Sequence, residues 1–139
     1  MIKAILFDIS GVLYDNNAPI IGAVDVINQL QCSGIPLRFV TNSSRSTEVM
    51  IVTALQKMGF AINDTQVFTA PGAIKRFLQT SNLRPYCLIH QDLEPEFTDF
   101  DQSNPNAVVV ADAAERFDYH RLNIAFELLL DGAPLIGIG

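Results

Sequence analysis

"AILFDISGVLYD", Ala4 to Asp15, is the stretch whose reading decides the fold. The continuous apolar run "IKAILF" (2–7) is too short for a helix and reads as a buried parallel strand. It delivers Asp8 to a turn at Gly11, and ligands of open parallel sheets bind beyond the carboxyl ends of the strands. A carboxylate there has two uses: attack on a phosphoryl group, or ligation of Mg²⁺. It equally suits a turn cap, as strand-terminal aspartates commonly do. Ser10 stands where a second carboxylate would be expected.

Strands and helices alternate outward from this point. Ile20, Val24, Ile27 and Leu30 have helical spacing, with Gly34 as the stop, and "IPLRFVTN" (35–42) is a second strand. A second helix runs from about Ser46 to Met58, and "TQVFTA" (65–70) is a third strand. "PGAIKRFLQT" (71–80) is a third helix with Pro71 in its first turn. After Asn82 a second series follows: strand "RPYCLIH", a short or irregular helix "QDLEPEFTDF", strand "NAVVVADA", a helix capped by Asp118, and strand "APLIGIG". On that helix Leu122, Ala125, Phe126, Leu129 and Leu130 share one face. The alternation predicts an α/β fold around a parallel sheet.

The second strand ends in Thr41 and Asn42. If it neighbours the first, a hydroxyl and an amide sit beside Asp8, the donors that a transferring phosphoryl group needs. As an alternative, "TNSS" is ordinary helix-capping chemistry, which is compatible with phosphate binding at a helix N-terminus.

"FDISGVLYD" followed by "FVTNSS" resembles motifs I and II of the haloacid dehalogenase-like phosphatase superfamily. "VFTAPGAIKRFL" and the segment from Asn104 to Gly139 resemble the type IIA subfamily, whose C2 cap is inserted after the third core strand. The resemblance implies a Rossmann-like parallel sheet core, incomplete here, over residues 1–81, and part of an α/β C2-type cap over 82–139. It implies that Asp8 is the nucleophile and a Mg²⁺ ligand, that Ser10 joins the metal site through its backbone carbonyl, and that Thr41 and Asn42 bind the phosphoryl group with Ser10 beside them. Most of the superfamily has an aspartate at the Ser10 position, which protonates the leaving group. A serine hydroxyl is far too weak an acid for that near neutral pH. The branch with serine there implies action on pyrophosphate or on the phosphoramidates phospholysine and phosphohistidine, whose leaving groups need little help from an enzyme acid.

The family also has a later lysine and a later acidic pair, both after the cap. The expectation is therefore of the first part of a longer enzyme, with an unpaired edge beside the first strand and a tendency to form homo-oligomers such as a dimer. "VVVADAAERFD" mimics the late acidic motif through Asp112, Glu115 and Asp118, but the family register puts that strand in the cap. Lys57 and Lys75 lie within helices, away from strand ends. His90 and His120 lack metal-site spacing and read as surface or cap residues, and Tyr86, Tyr119 and Phe126 as cap core.

Bulk properties narrow the classes. The 139 residues are 49% hydrophobic and 17% charged, a globular composition. A net charge of −6 with scattered Lys and Arg argues against a nucleic-acid partner. No apolar run approaches the ~20 residues of a membrane span, and Asp8 would interrupt a signal peptide's apolar region. Cys32 and Cys87 lack C-x-x-C spacing, in keeping with a reduced, cytoplasmic protein that acts on a small phosphorylated substrate. Two rivals remain: a fragment that binds phosphate or assembles without turnover, and a receiver-like phosphoacceptor domain. The receiver reading is disfavoured, because its acceptor aspartate belongs on a later strand with an acidic pair upstream.

Overall fold

The computed structural model describes residues 2–139. The elements, in chain order, are β1 (Ile5–Asp8), β2 (Tyr14–Asp15), β3 (Ala18–Pro19), α1 (Ala23–Cys32), β4 (Leu37–Thr41), α2 (Glu48–Lys57), β5 (Val67–Thr69), α3 (Ala70–Thr80), β6 (Pro85–Leu88), β7 (Ala107–Val110), α4 (Tyr119–Leu130) and β8 (Leu135–Gly137). Short 3-10 turns cover Asp64–Gln66, Gln91–Phe97 and Ala114–Arg116. The chain falls into two compact units, one of Met1–Thr41 with Glu48–Thr69, the other of Asn42–Thr47 with Ala70–Gly139.

The first unit is a parallel sheet in the order β1-β4-β5. With parallel strands in sequence order, crossovers of the usual right hand place α1 and α2 on the same face. Ile27 from α1 and Ile51, Val52 and Leu55 from α2 accordingly bury against Leu37, Phe39 and Val67. Phe7 stacks on Phe39 with ring centroids 5.9 Å apart. Burial along β1 and β4 alternates, and Leu6 is 69% exposed. β1 is therefore not buried on both faces as its continuous apolar run suggests, because the helices of this unit cover only one. Among the described residues, β1 also forms one edge of the sheet.

β2 and β3 form a hairpin that has no counterpart in the sequence reading. Asn16 and Asn17 both take positive φ (46° and 66°), as a two-residue type I′ turn requires.

The second unit is a parallel sheet in the order β6-β7-β8. Its core joins Leu78 of α3, Leu93 and Phe97 of the 3-10 turn, Val109 and Ile138. Lys75 donates to Glu96 at 2.7 Å, which ties α3 to that turn. Asp118 Oδ1 accepts the Arg121 amide and caps α4 as the sequence suggests. The α4 face is different from the expectation. Ala125 is buried, yet Tyr119 is 85% and Phe126 57% exposed, so neither belongs to the core of this unit. The apolar stripe is real, but the sheet takes only its Ala125 side.

Candidate functional site

Residue Asp8 ends β1 and Thr41 ends β4. In the parallel register Asp8 pairs with Val40, so Thr41 lies one residue past Asp8 on the neighbouring strand. Thr69, the last residue of β5, pairs with Thr41. Three strand ends of the first unit thus line up Asp8, Thr41 and Thr69 at the carboxyl edge of one sheet. The sequence reading gave Thr69 no role, although "VFT" repeats the apolar–apolar–threonine ending of "FVT".

The Asp8 turn is held by its backbone and by buried neighbours. Ile9 and Leu13 are buried; the Ile9 amide donates to Val40 O at 3.1 Å and the Leu13 amide to Ile9 O at 2.9 Å. Gly11 has φ 76°, and its amide donates to Tyr14 O at 2.8 Å. That left-handed conformation is strained for a side chain with Cβ, which accounts for glycine there. Asp8 Oδ1 accepts the Ile9 amide at 2.8 Å. Asp8 is exposed, and Oδ2 makes no hydrogen bond among the described residues. Ser10 is exposed, with Oγ 3.5 Å from the Tyr14 hydroxyl, so the hairpin lies directly against the position of the missing second carboxylate.

Thr41 is 5% exposed and Asn42, the next residue, is exposed. Asn42 opens the loop that packs with the second unit. There Arg45 Nε donates to Asp112 Oδ2 at 2.6 Å, and Asp112 Oδ1 accepts the Ala114 amide at 3.2 Å. The Arg45 hydrogen bond holds the Asp112 carboxyl below the usual carboxylate range and raises the guanidinium in turn. Both Asp112 oxygens are thus engaged.

Other candidates separate in the same way. His90 Nδ1 accepts the Asp92 amide at 3.2 Å and caps the 3-10 turn. Burial pushes the Cys87 thiol up to about 12, which makes it a poor nucleophile at neutral pH. Among the described residues no group of three or more His, Cys, Asp and Glu is placed to hold a metal ion. Mg²⁺ does not require one: it takes one or two carboxylates with backbone carbonyls, substrate phosphate and retained water. The exposed Asp8 carboxylate, with Oδ1 on the Ile9 amide, is one oxygen donor of that kind.

A family model for haloacid dehalogenase-like hydrolases matches residues 5–103. The chain belongs to this family. It is 42% identical over 136 residues to the phospholysine phosphohistidine inorganic pyrophosphate phosphatase of Xenopus laevis, covering 94% of this chain and 50% of that protein. It is 41% identical over 144 residues to the human protein of the same name, covering 99% of this chain and 53% of that one. Among solved structures, a hypothetical protein from Pyrococcus horikoshii superposes with a TM-score of 0.88 at 27% identity, covering 98% of this chain and 57% of that chain. NagD of E. coli shares the fold, with a TM-score of 0.87 at 23% identity, covering 99% of this chain and 57% of that one. The chain therefore spans about half the length of the curated relatives it matches.

Proposed function

We propose that this chain carries the phosphoryl-accepting part of a Mg²⁺-dependent phosphatase acting on pyrophosphate and on the phosphoramidates phospholysine and phosphohistidine. The observation that carries the reading is the pairing of β1 with β4, which sets Asp8 and Thr41 at adjacent strand ends. Homologues named for these substrates support it. Residues 1–81 are read as the N-terminal part of the core and 82–139 as part of a C2-type cap.

In the first step Asp8 Oδ2 attacks phosphorus, and the bond breaks to the leaving phosphate or to an amine nitrogen that has already taken a proton from solvent. Asp8 then carries the phosphoryl group as a mixed anhydride, which water hydrolyses. The Thr41 hydroxyl and the Asn42 amide donate to the phosphoryl oxygens, so that orientation and charge stabilisation supply most of the rate. Asp8 and the Ser10 carbonyl would hold Mg²⁺, which supplies positive charge against the phosphate oxygens. Ser10 offers no acid. Pyrophosphate and phosphoramidates leave without one far more readily than an alkoxide does. We read the protein as cytoplasmic: both cysteines are free, and no helix of the described residues is long and apolar enough to cross a membrane. We read the partners as small phosphorylated molecules rather than nucleic acid, in keeping with the acidic balance, and the assembly as a homo-oligomer.

The test is Mg²⁺-dependent phosphate release from pyrophosphate and phospholysine, beside Asp8→Asn. Release that disappears in the variant is expected; release that survives it overturns the reading. The second reading is phosphate binding or assembly without turnover. Phosphate binding by a chain that releases none would establish it.

A further inference from the structure

Ser10 and Tyr14 belong to the first unit, as Asp8 does, and the turn between them brings their hydroxyls together. Ser10 Oγ and the Tyr14 hydroxyl lie 3.5 Å apart. That is long for a bond between two hydroxyls, whose usual length is about 2.7–2.8 Å. It suits a third oxygen placed about 2.8 Å from each, which would accept from both. The backbone fixes the pair: Ser10 and Tyr14 form a β-bridge, and the Gly11 amide donates to Tyr14 O at 2.8 Å. Tyr14 follows the buried Leu13 and pairs with Pro19 across the hairpin, and its half-buried ring packs on the core of the unit. Ser10 is exposed, as Asp8 is, and stands two residues beyond it.

We propose that the Ser10 and Tyr14 hydroxyls form a subsite for the leaving oxygen of pyrophosphate, and that it does not serve the phosphoramidates. The proposal rests on the phosphatase reading with Asp8 as nucleophile. When Asp8 takes the phosphoryl group from pyrophosphate, the bond from phosphorus to the bridging oxygen breaks. Its electron pair stays on that oxygen, which becomes a charged oxygen of the departing phosphate. Both hydroxyls donate hydrogen bonds to it and keep their protons. Hydrogen bonds to a charged acceptor are the strong kind, and those made to charge that develops in the transition state raise the rate. Phospholysine breaks a P–N bond instead, and its nitrogen, protonated by solvent beforehand, leaves as a neutral amine. No leaving oxygen gains charge there, so the pair has nothing to stabilise. Tyr14 thus separates the two substrate classes at one site.

The experiment compares Tyr14→Phe, which keeps the packed ring, with Ser10→Ala, which keeps the backbone carbonyl. kcat/KM is measured with Mg²⁺ for pyrophosphate and for phospholysine on the same preparations, so that any loss of folded chain cancels in the ratio. Each variant is expected to lower the pyrophosphate value roughly 10-fold or more and to leave the phospholysine value within about 3-fold. Equal losses on both substrates, or an unchanged pyrophosphate value in either variant, overturn the proposal. A parent chain without turnover contradicts the phosphatase reading, and calorimetric binding then decides. Tyr14→Phe is expected to weaken pyrophosphate binding several-fold and to leave inorganic phosphate binding unchanged. Equal affinities of parent and variant for pyrophosphate, or a parent that does not bind it, overturn the proposal.

Discussion

Two turns in this molecule look alike in sequence and differ in what surrounds their carboxylates. "FDISG" and "VADAA" each place an aspartate at the carboxyl end of a parallel strand, Asp8 as the last residue of β1 and Asp112 two residues past β7. Asp8 gives one oxygen to the next amide and leaves the other exposed. Asp112 gives one oxygen to the Ala114 amide and the other to Arg45. A strand-end position makes a carboxylate available for chemistry. Its hydrogen-bond partners decide whether it reacts or anchors.

The largest expected effect separates the two directly. Asp8→Asn lowers phosphate release on the order of 10⁴-fold or more, as loss of a nucleophile does. Asp112→Asn, assayed with the same substrate, stays within roughly 10-fold of the parent; equal losses in the two variants would break the comparison. Next comes the support of the Asp8 turn. Ile9→Ala empties a buried position and is expected to destabilise by about 2–5 kcal/mol, read from urea unfolding. A cost under about 1 kcal/mol would mean that the turn does not depend on that anchor.

A smaller effect concerns the leaving group. Ser10→Asp supplies an acid of the kind that the superfamily carries there, and hydrolysis of sugar phosphates relative to pyrophosphate should rise about 10-fold or more. An unchanged ratio removes the link between serine and substrate choice. The smallest effect is a pH dependence of the Asp112 turn. Its carboxyl is depressed first by the Arg45 side-chain hydrogen bond and further by the Ala114 amide. A depressed value means that the pair is complete above the ordinary carboxylate range and is lost as pH falls through the folded-state value. Exchange over residues 42–47 should therefore stay slow down to the ordinary carboxylate range and rise only below it. A rise near neutral pH would contradict the pairing.

Much of this was legible in the sequence because the strands are short apolar runs bounded by turn residues and the helices keep a clear period. Asp118 as a cap and Pro71 in the first turn of α3 follow from local chemistry alone. The β2–β3 hairpin was not legible: its strands are two residues long, too short for a period, and its turn is Asn16-Asn17 without a glycine. The α4 stripe showed which residues share a face, but period alone does not say which part of it meets the sheet. Leu122, Phe126 and Leu130 remain exposed as a result. Asp8 and Thr41 were legible as strand ends, whereas the Asp112 contact depends on tertiary structure that no local pattern encodes.

The most direct measurement of the central claim is to trap the covalent intermediate. The chain is incubated with Mg²⁺ and ³²P-labelled pyrophosphate, quenched in acid and mapped by peptide mass spectrometry. The account predicts a phosphoryl group on the peptide that contains Asp8, absent in Asp8→Asn. A label on the Asp112 peptide, or phosphate release with no labelled aspartate, would contradict it.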